Sequence, residues 1–145
     1  MDKISVNIAA IREEIAQACR RVGRDPWEVR LVAVSKLFPA ETINAAYQAG
    51  QRIFGENRVQ ELLQKMPLLS AGIEWHLIGT LQRNKVKYII GKVNLIHSVH
   101  SVPLAQEISK QAVRQDLAAQ TLLQVNIAGD ESKSGFTQQD LLLNI

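Results

Sequence analysis

The sequence is poor in the residues that several kinds of site require. A single cysteine, Cys19, excludes an internal disulfide and any multi-cysteine metal site. The 3 histidines show none of the usual zinc-ligand spacings, so no metal is expected. Aromatic residues make up only 5%, so aliphatic side chains must fill the core. Cys19 lies on a helical apolar stripe, which predicts that its thiol is buried.

Long apolar runs, targeting signals and clusters of charge are also missing. No run approaches the roughly 18 apolar residues that cross a bilayer, and residues 1–23 lack the regions of a signal peptide. Lys and Arg exceed Asp and Glu by 17 to 14, but the basic residues are dispersed along the chain. These absences argue against membrane and nucleic-acid partners and favour a cytoplasmic setting.

Short apolar runs alternate with helical patterns along the chain. Apolar positions at steps of three or four predict a helix over 2–22 that ends at Gly23. Five strands are predicted after it, at 30–36, 52–57, 74–80, 94–100 and 121–127. The helices predicted between them span 39–49, 57–66, 83–90 and 103–117. Strand cores such as LVAV are apolar without alternation, which is typical of parallel strands covered by helices and indicates the α/β class.

The spacing of the strands favours part of a barrel. Strand starts differ by 22, 22, 20 and 27 residues, close to the pitch of a (β/α)₈ TIM barrel of about 250 residues, of which five βα units fit here. A helix predicted to begin with Thr137 as its cap has barely begun at Ile145. We therefore expect one domain, 1–145, that forms the N-terminal portion of a longer barrel.

A flavodoxin-like doubly wound sheet is the alternative fold. Five parallel strands in a chain of this length suit it, and it closes without missing strands. However, no glycine-rich phosphate turn follows the first predicted strand, and G-x-G-x-x-G is absent from the sequence.

Active sites of α/β barrels lie at the carboxyl ends of the strands, so polar residues at those positions are the candidates. They are Lys36, Glu56, Asn57, Thr80, Gln82, Ser98, His100 and Asn126. Lys36 alternates with Val32 and Val34, which places its amine near a low-dielectric interior, where the neutral form that attacks a carbonyl is favoured. The alternatives are a lysine that extends to solvent or one that pairs with Glu56.

Other candidates have simple structural explanations. Asn57 precedes a predicted helix and could cap it. His76 lies inside a strand, where a lone histidine is usually a hydrogen-bonded core residue. Lys133, in the segment after the fifth strand, has the character of an exposed loop lysine.

Five segments in order carry a resemblance to a known family. They are VAVSK (32–36), FGENRVQE (54–61), WHLIGTLQRNK (75–85), HSVHS (97–101) and VNIAGDESKSG (125–135). Together they closely resemble the YggS/PROSC family of pyridoxal-phosphate-binding proteins. The similarity covers nearly the whole chain and is specific because all five segments occur at the right spacing.

The resemblance implies a fold like the N-terminal domain of alanine racemase, with pyridoxal 5'-phosphate held as a Schiff base on Lys36. Asn57, His76 and Ser98 match family motifs near the pocket and are the other cofactor-binding candidates. The implied role is non-catalytic: pyridoxal phosphate homeostasis and carriage, with effects on amino-acid and keto-acid balance. Apo forms of enzymes that use the cofactor are the implied recipients, and the full-length form is expected to be monomeric.

The chain also departs from the family pattern. The family's phosphate-binding serine, glycine and arginine residues lie in later strands, so weaker retention of the cofactor is expected here. His100 stands where relatives often carry an acidic residue, and no role is assigned to it. If the cofactor is carried, Lys133 is the candidate second amine to receive its aldehyde.

Two other functions stay open. A pyridoxal-phosphate-dependent racemase or decarboxylase would use the same cofactor as an electron sink. Racemases resembling this barrel bring a tyrosine from a second domain, whereas Tyr47 and Tyr88 fall in predicted helices, which favours a carrier. A flavodoxin-like module that binds another ligand is the third hypothesis.

Overall fold

A parallel β-sheet with helices between successive strands forms the body of the protein. The computed structural model describes residues 3–130 and 132–144. Strands β1 to β5 are Ala33–Val34, Ile53–Glu56, Glu74–Leu77, Leu95–Val99 and Thr121–Leu123. Helices α1 to α6 are Lys3–Arg21, Ala40–Gln48, Val59–Lys65, Val86–Ile89, Val102–Arg114 and Gln138–Asn144. Short 3₁₀ turns occur at Pro26–Glu28, Met66–Leu68 and Arg83–Lys85. The predicted α/β class and the order of its elements are confirmed.

The order of the strands decides between the two predicted folds. The five described strands are hydrogen-bonded in the order β1-β2-β3-β4-β5, and every neighbouring pair is parallel. A flavodoxin-like sheet has the order 2-1-3-4-5, so that alternative is wrong. Because parallel crossovers are right-handed, a sequential order places the crossover helices on one face of the sheet, as in the wall of a barrel.

Two apolar clusters fill the space between the sheet and its helices. One joins Ile43 of α2, Phe54 of β2, Leu62 of α3 and Trp75 of β3. Phe54 and Trp75 are register partners in neighbouring strands, and their ring centroids lie 6.1 Å apart. The second cluster joins β3 and β4 to the helices that follow them, through Leu77, Val86, Ile89, Ile96, Leu104 and Ile108.

The residues predicted to end α1 and to cap α6 do so in the structure. Gly23 follows α1 with a φ of 65°, in the left-handed region that commonly ends a helix. The backbone N–H of Asp140 donates to Thr137 Oγ1 at 3.0 Å, which is the expected cap of α6. Cys19 is 5% exposed, so its predicted burial is confirmed.

Element ends are less well predicted than the elements themselves. The first predicted strand, 30–36, is reduced to Ala33–Val34, and Lys36 lies in a turn after it. The predicted cap at Asn57 is wrong, because α3 begins at Val59 and its N-cap residue is Arg58, which makes no side-chain cap bond. The predicted helix 83–90 divides into the 3₁₀ turn at Arg83–Lys85 and the single turn of α4.

Candidate functional site

The sequence-predicted site residues lie along the carboxyl edge of the sheet or just inside it. Lys36 comes after β1, Asn57 follows β2, and Ser98 lies near the end of β4. His76 lies one residue before the end of β3. Because neighbouring strands are parallel, these ends share one edge, which is the edge where α/β barrels place their sites.

Lys36 is exposed at this edge. The expectation that its amine lies in a low-dielectric interior is wrong, since Lys36 is exposed and Val34 beneath it is itself 48% exposed. The physical reason is that the face of the sheet opposite the helices is open at β1. Leu122 of β5, at the other end of the sheet, is similarly 49% exposed.

A buried carboxylate lies directly below the turn that carries Lys36. Glu56, at the end of β2, is 0% exposed. Its Oε1 accepts hydrogen bonds from Lys65 Nζ at 2.7 Å and from Ser35 Oγ at 2.8 Å. The alternative pairing of Lys36 with Glu56 is therefore wrong, because the cation bound to Glu56 is Lys65 of α3. Glu56 Oε2 has no partner among the described residues.

Lys65 joins two carboxylates to the backbone of this turn. Besides Glu56, its Nζ donates to Glu61 Oε1 at 2.6 Å and to the Ser35 carbonyl at 2.8 Å. Burial acts to lower the pKa of Lys65, but the hydrogen bonds and charges of Glu56 and Glu61 outweigh it and raise that pKa. The pKa of Glu61 is lowered by its hydrogen bond from Lys65 and then by that from the Leu37 N–H.

Sequence reasoning missed this network. The one available signal was the i,i+4 spacing of Glu61 and Lys65, which is typical of solvent-exposed helical ion pairs. Packing of α3 against β2 shields the pair from solvent, and the side chains of Lys65 and Glu61 are only 11% and 19% exposed.

The ends of β2, β3 and β4 are locked together through Gly79. Ser98 Oγ donates to the Gly79 carbonyl at 2.6 Å. On the other side, a Cβ at Gly79 would lie 2.3 Å from the carbonyl oxygen of Asn57, so only glycine allows this approach. The structure thus brings together two predicted site residues, Asn57 and Ser98, through a glycine that sequence analysis did not single out.

His76 is paired with a second histidine on the neighbouring strand. Its Nδ1 lies 2.9 Å from Nε2 of His97, so one ring donates the single shared proton and the other accepts it. His76 is 3% exposed, which agrees with the hydrogen-bonded core histidine that the sequence allowed. Trp75 and Leu77 pack on the helix side of the sheet, so His76, between them, faces the opposite side.

The histidine pair predicts a pH-dependent stability. Burial is the main cause that lowers the pKa of His76, with repulsion from His97 and Arg30 adding to it, and burial also lowers the pKa of His97. Between these lowered values and the ordinary value of about 6.5, the unfolded chain binds more protons than the folded one. The free energy of unfolding is therefore expected to fall as the pH drops below about 6.5, which urea denaturation over a pH series will measure.

Substitution of single histidines tests whether the His76–His97 pair causes this pH dependence. His97→Gln keeps a hydrogen-bonding group but removes one titrating ring, so its stability should vary less with pH than that of the unsubstituted protein. His100→Gln removes a histidine outside the pair and serves as the matched control. Equal pH dependence in the two variants would contradict the assignment.

A groove lies at the carboxyl edge between β3 and the segment after β5. It has a volume of about 470 Å³ and is lined by Thr80, Gln124, Asn126 and Lys133 among others. The side chain of Lys133 is 72% exposed, and its Nζ lies 3.8 Å from Asp130 Oδ2. Lys133 therefore has the character of the exposed loop lysine that the sequence predicts. Lys36 does not line this groove, so the two lysines named from the sequence belong to different parts of the edge.

Within residues 3–130 and 132–144, no group of three or more His, Cys, Asp or Glu side chains is arranged to hold a metal ion. No helix in the same residues has the length and apolar character needed to cross a membrane.

Two proteins of similar sequence carry the same name. This chain is 43% identical over 135 residues to the pyridoxal phosphate homeostasis protein of Aquifex aeolicus, covering 92% of this chain and 59% of the relative. It is 41% identical over 142 residues to the protein of that name from Pseudomonas aeruginosa, covering 97% and 62% respectively. The chain therefore spans about three fifths of the length of these relatives.

Solved structures agree with the fold and show its family. PipY of Synechococcus elongatus without PLP matches with a TM-score of 0.83 at 38% identity, over 96% of this chain and 61% of PipY. The structure of PipY with PLP bound matches with a TM-score of 0.82 at 37% identity, over 96% of this chain and 60% of PipY. Residues 6–144 match the family described as alanine racemase, N-terminal domain. The predicted likeness to that domain is thus confirmed, and the chain belongs to the alanine racemase N-terminal domain family.

Proposed function

We propose that this chain binds pyridoxal 5'-phosphate covalently through Lys36 and acts in the homeostasis and carriage of that cofactor. The observation that carries the proposal is the exposed side chain of Lys36, two residues after the end of β1 at the carboxyl edge of a parallel sheet. Two relatives named pyridoxal phosphate homeostasis protein and the structure of PipY with PLP bound support it. We propose residues 1–145 as one domain that contributes this amine.

The residues present fit the aldehyde end of the cofactor. A primary amine bonds to an aldehyde carbon with loss of water, and bound pyridoxal phosphate supplies both the aldehyde and an electron-withdrawing ring. Among the described residues, no carboxylate forms an ion pair with Lys36, so its amine is accessible for this bond. An exposed site leaves the reaction open to water, which suits reversible holding and release.

Of the other three candidates, one is proposed to contact the cofactor and two to shape the wall of its site. We propose that Asn57, half-buried at the end of β2, hydrogen-bonds the cofactor. Ser98 donates to the Gly79 carbonyl and His76 is bound to His97, so these two side chains shape the wall of the site. The phosphate end needs additional donors, and the family resemblance places those in later strands.

A carrier is favoured over an enzyme. Racemisation needs an acid or base on each face of the substrate, and the two tyrosines of the chain lie in α2 and α4, away from strand ends. Tyr47 is covered by the guanidinium of Arg52, 4.2 Å from its ring centroid. The relatives are likewise named for homeostasis rather than for a reaction. We propose a cytoplasmic protein, monomeric at full length, whose recipients are apo enzymes that use the cofactor.

Replacing Lys36 with alanine tests this function. Borohydride reduces the C=N bond between an amine and pyridoxal phosphate to a stable secondary amine, which peptide mass mapping locates. The unsubstituted protein is expected to carry this label on Lys36 with an absorbance band from the bound cofactor. Lys36→Ala is expected to lose both, because no other described lysine occupies the end of β1.

The matched control is Lys133→Ala, which removes an exposed lysine from a different part of the same edge. It should keep the label on Lys36. Label that persists at one specific lysine in Lys36→Ala would mean that another amine holds the cofactor. Scattered label in the unsubstituted protein would mean that these residues alone do not form the site.

A further inference from the structure

The turn that carries Lys36 has an unusual backbone for its sequence. The Phe38 N–H donates to the Ser35 carbonyl at 3.2 Å, which closes a four-residue turn over 35–38. Its third residue, Leu37, has a φ of 66°, a conformation that such turns normally assign to glycine or asparagine. A leucine held there is strained and persists only when the surroundings enforce it.

Packing of the leucine side chain does not enforce this conformation, because Leu37 is 83% exposed. Hydrogen bonds from α3 do so instead, on both sides of Lys36. On one side, Lys65 Nζ donates to the Ser35 carbonyl at 2.8 Å. On the other, the Leu37 N–H donates to Glu61 Oε1 at 2.6 Å.

The two clamping side chains are themselves held in place. Lys65 and Glu61 form an ion pair at 2.6 Å, and Lys65 also binds the buried Glu56 at 2.7 Å. All three N–H donors of the Lys65 ammonium are therefore used. Buried ion pairs contribute weakly to stability compared with apolar packing. The three hydrogen bonds of the Lys65 ammonium are therefore better explained by the backbone geometry that they impose on the turn.

We propose that Lys65 and Glu61 are positioning residues that clamp the 35–38 turn and thereby hold the Lys36 amine at the carboxyl edge of the sheet. This inference rests on the proposed function of Lys36 and adds two residues of α3 to the site. Holding a reacting group in place before it reacts removes part of the entropy cost of forming the new bond. Without the clamp, Leu37 relaxes toward negative φ and the amine samples many positions.

Substitutions at Glu61 test the clamp and leave Lys65 in place as the partner of the buried Glu56 carboxylate. Glu61→Ala removes the acceptor of the Leu37 N–H, whereas Glu61→Gln keeps an oxygen at that position. Gln64→Ala, at an exposed position of the same helix, is the matched control. The measurements are hydrogen exchange of the Leu37 amide and the rate of borohydride-trapped labelling of Lys36 by pyridoxal phosphate.

In Glu61→Ala, the Leu37 amide should exchange faster and Lys36 should be labelled more slowly, each by about tenfold or more, the scale of one charge-assisted hydrogen bond. Glu61→Gln should restore both rates to near those of the unsubstituted protein, and Gln64→Ala should change neither. A purely structural role of Glu61 would change the stability of the protein and leave the rate of Lys36 labelling unchanged.

Unchanged labelling of Lys36 in Glu61→Ala would overturn the inference and leave the proposed function intact. No label on Lys36 in the unsubstituted protein would overturn the proposed function instead. In that case the exchange of the Leu37 amide decides the clamp by itself, and equal exchange in Glu61→Ala and the unsubstituted protein would overturn it.

Discussion

Replacing Lys65 with methionine is expected to destabilise the protein by about 3 to 5 kcal/mol, the cost of breaking a buried ion pair by removing one partner. Methionine has a similar length but no donors. It therefore leaves Glu56, which is 0% exposed, without its cation, and the Ser35 carbonyl without a donor. The measurement is the free energy of unfolding from urea denaturation near pH 7, where the raised pKa of Lys65 keeps its ammonium fully charged.

Lys110→Met provides the control for this experiment. Lys110 also belongs to an ion pair on a helix, with Glu107 at 4.0 Å, but its side chain is 57% exposed. Exposed pairs contribute little, so this change should cost less than about 1 kcal/mol. Similar losses in the two variants would mean that Glu56 is not held as a buried carboxylate by Lys65.

Replacing Gly79 with alanine is expected to cost about 3 kcal/mol and to disturb the carboxyl ends of three strands together. The added Cβ would lie 2.3 Å from the Asn57 carbonyl oxygen and 2.7 Å from its Cα. Both atoms belong to the backbone, so neither can rotate away and β2 and β3 must separate. The hydrogen bond from Ser98 to the Gly79 carbonyl would be lost or lengthened as a result.

Gly72→Ala is the matched glycine control. Its Cβ would approach Tyr47 at 2.5 Å, but the atom concerned is the hydroxyl at the far end of a side chain that can move. Unfolding free energies and amide chemical shifts of residues 57, 79 and 98 should therefore change strongly in Gly79→Ala and little in Gly72→Ala. A small effect at Gly79 would show that the three strand ends are not coupled through it.

Lys36 lies at the edge of the sheet that its position in the sequence predicts. Its position after an apolar run was enough to place it at the carboxyl edge of the sheet, where the structure also puts it. The prediction of an amine near a low-dielectric interior is wrong, since it assumed a closed interior beside Val34, whereas the alternative of a lysine that extends to solvent is confirmed. Exposure depends on what covers that face, and a one-dimensional pattern of apolar residues does not contain this information.

Lys65 and the histidine pair show where that reasoning fails. Lys65 is the seventh and last residue of α3, at a spacing from Glu61 that occurs on many solvated helix surfaces. His76 and His97 are 21 positions apart, and only the parallel register of β3 and β4 brings their rings to 2.9 Å. Contacts of this kind depend on register and on helix docking, both of which are set by tertiary packing.

The sequence by itself determined the α/β class, the succession of strands and helices and the candidate lysine, because hydrophobic periodicity and helix stop signals act over a few residues. Only the tertiary structure decided the sequential strand order, the clamp of Lys65 and Glu61 on the Lys36 turn, and the close approach of Gly79 to Asn57. These features arise where separate elements meet, and the energies that select them come from burial and hydrogen bonds between residues distant in the chain.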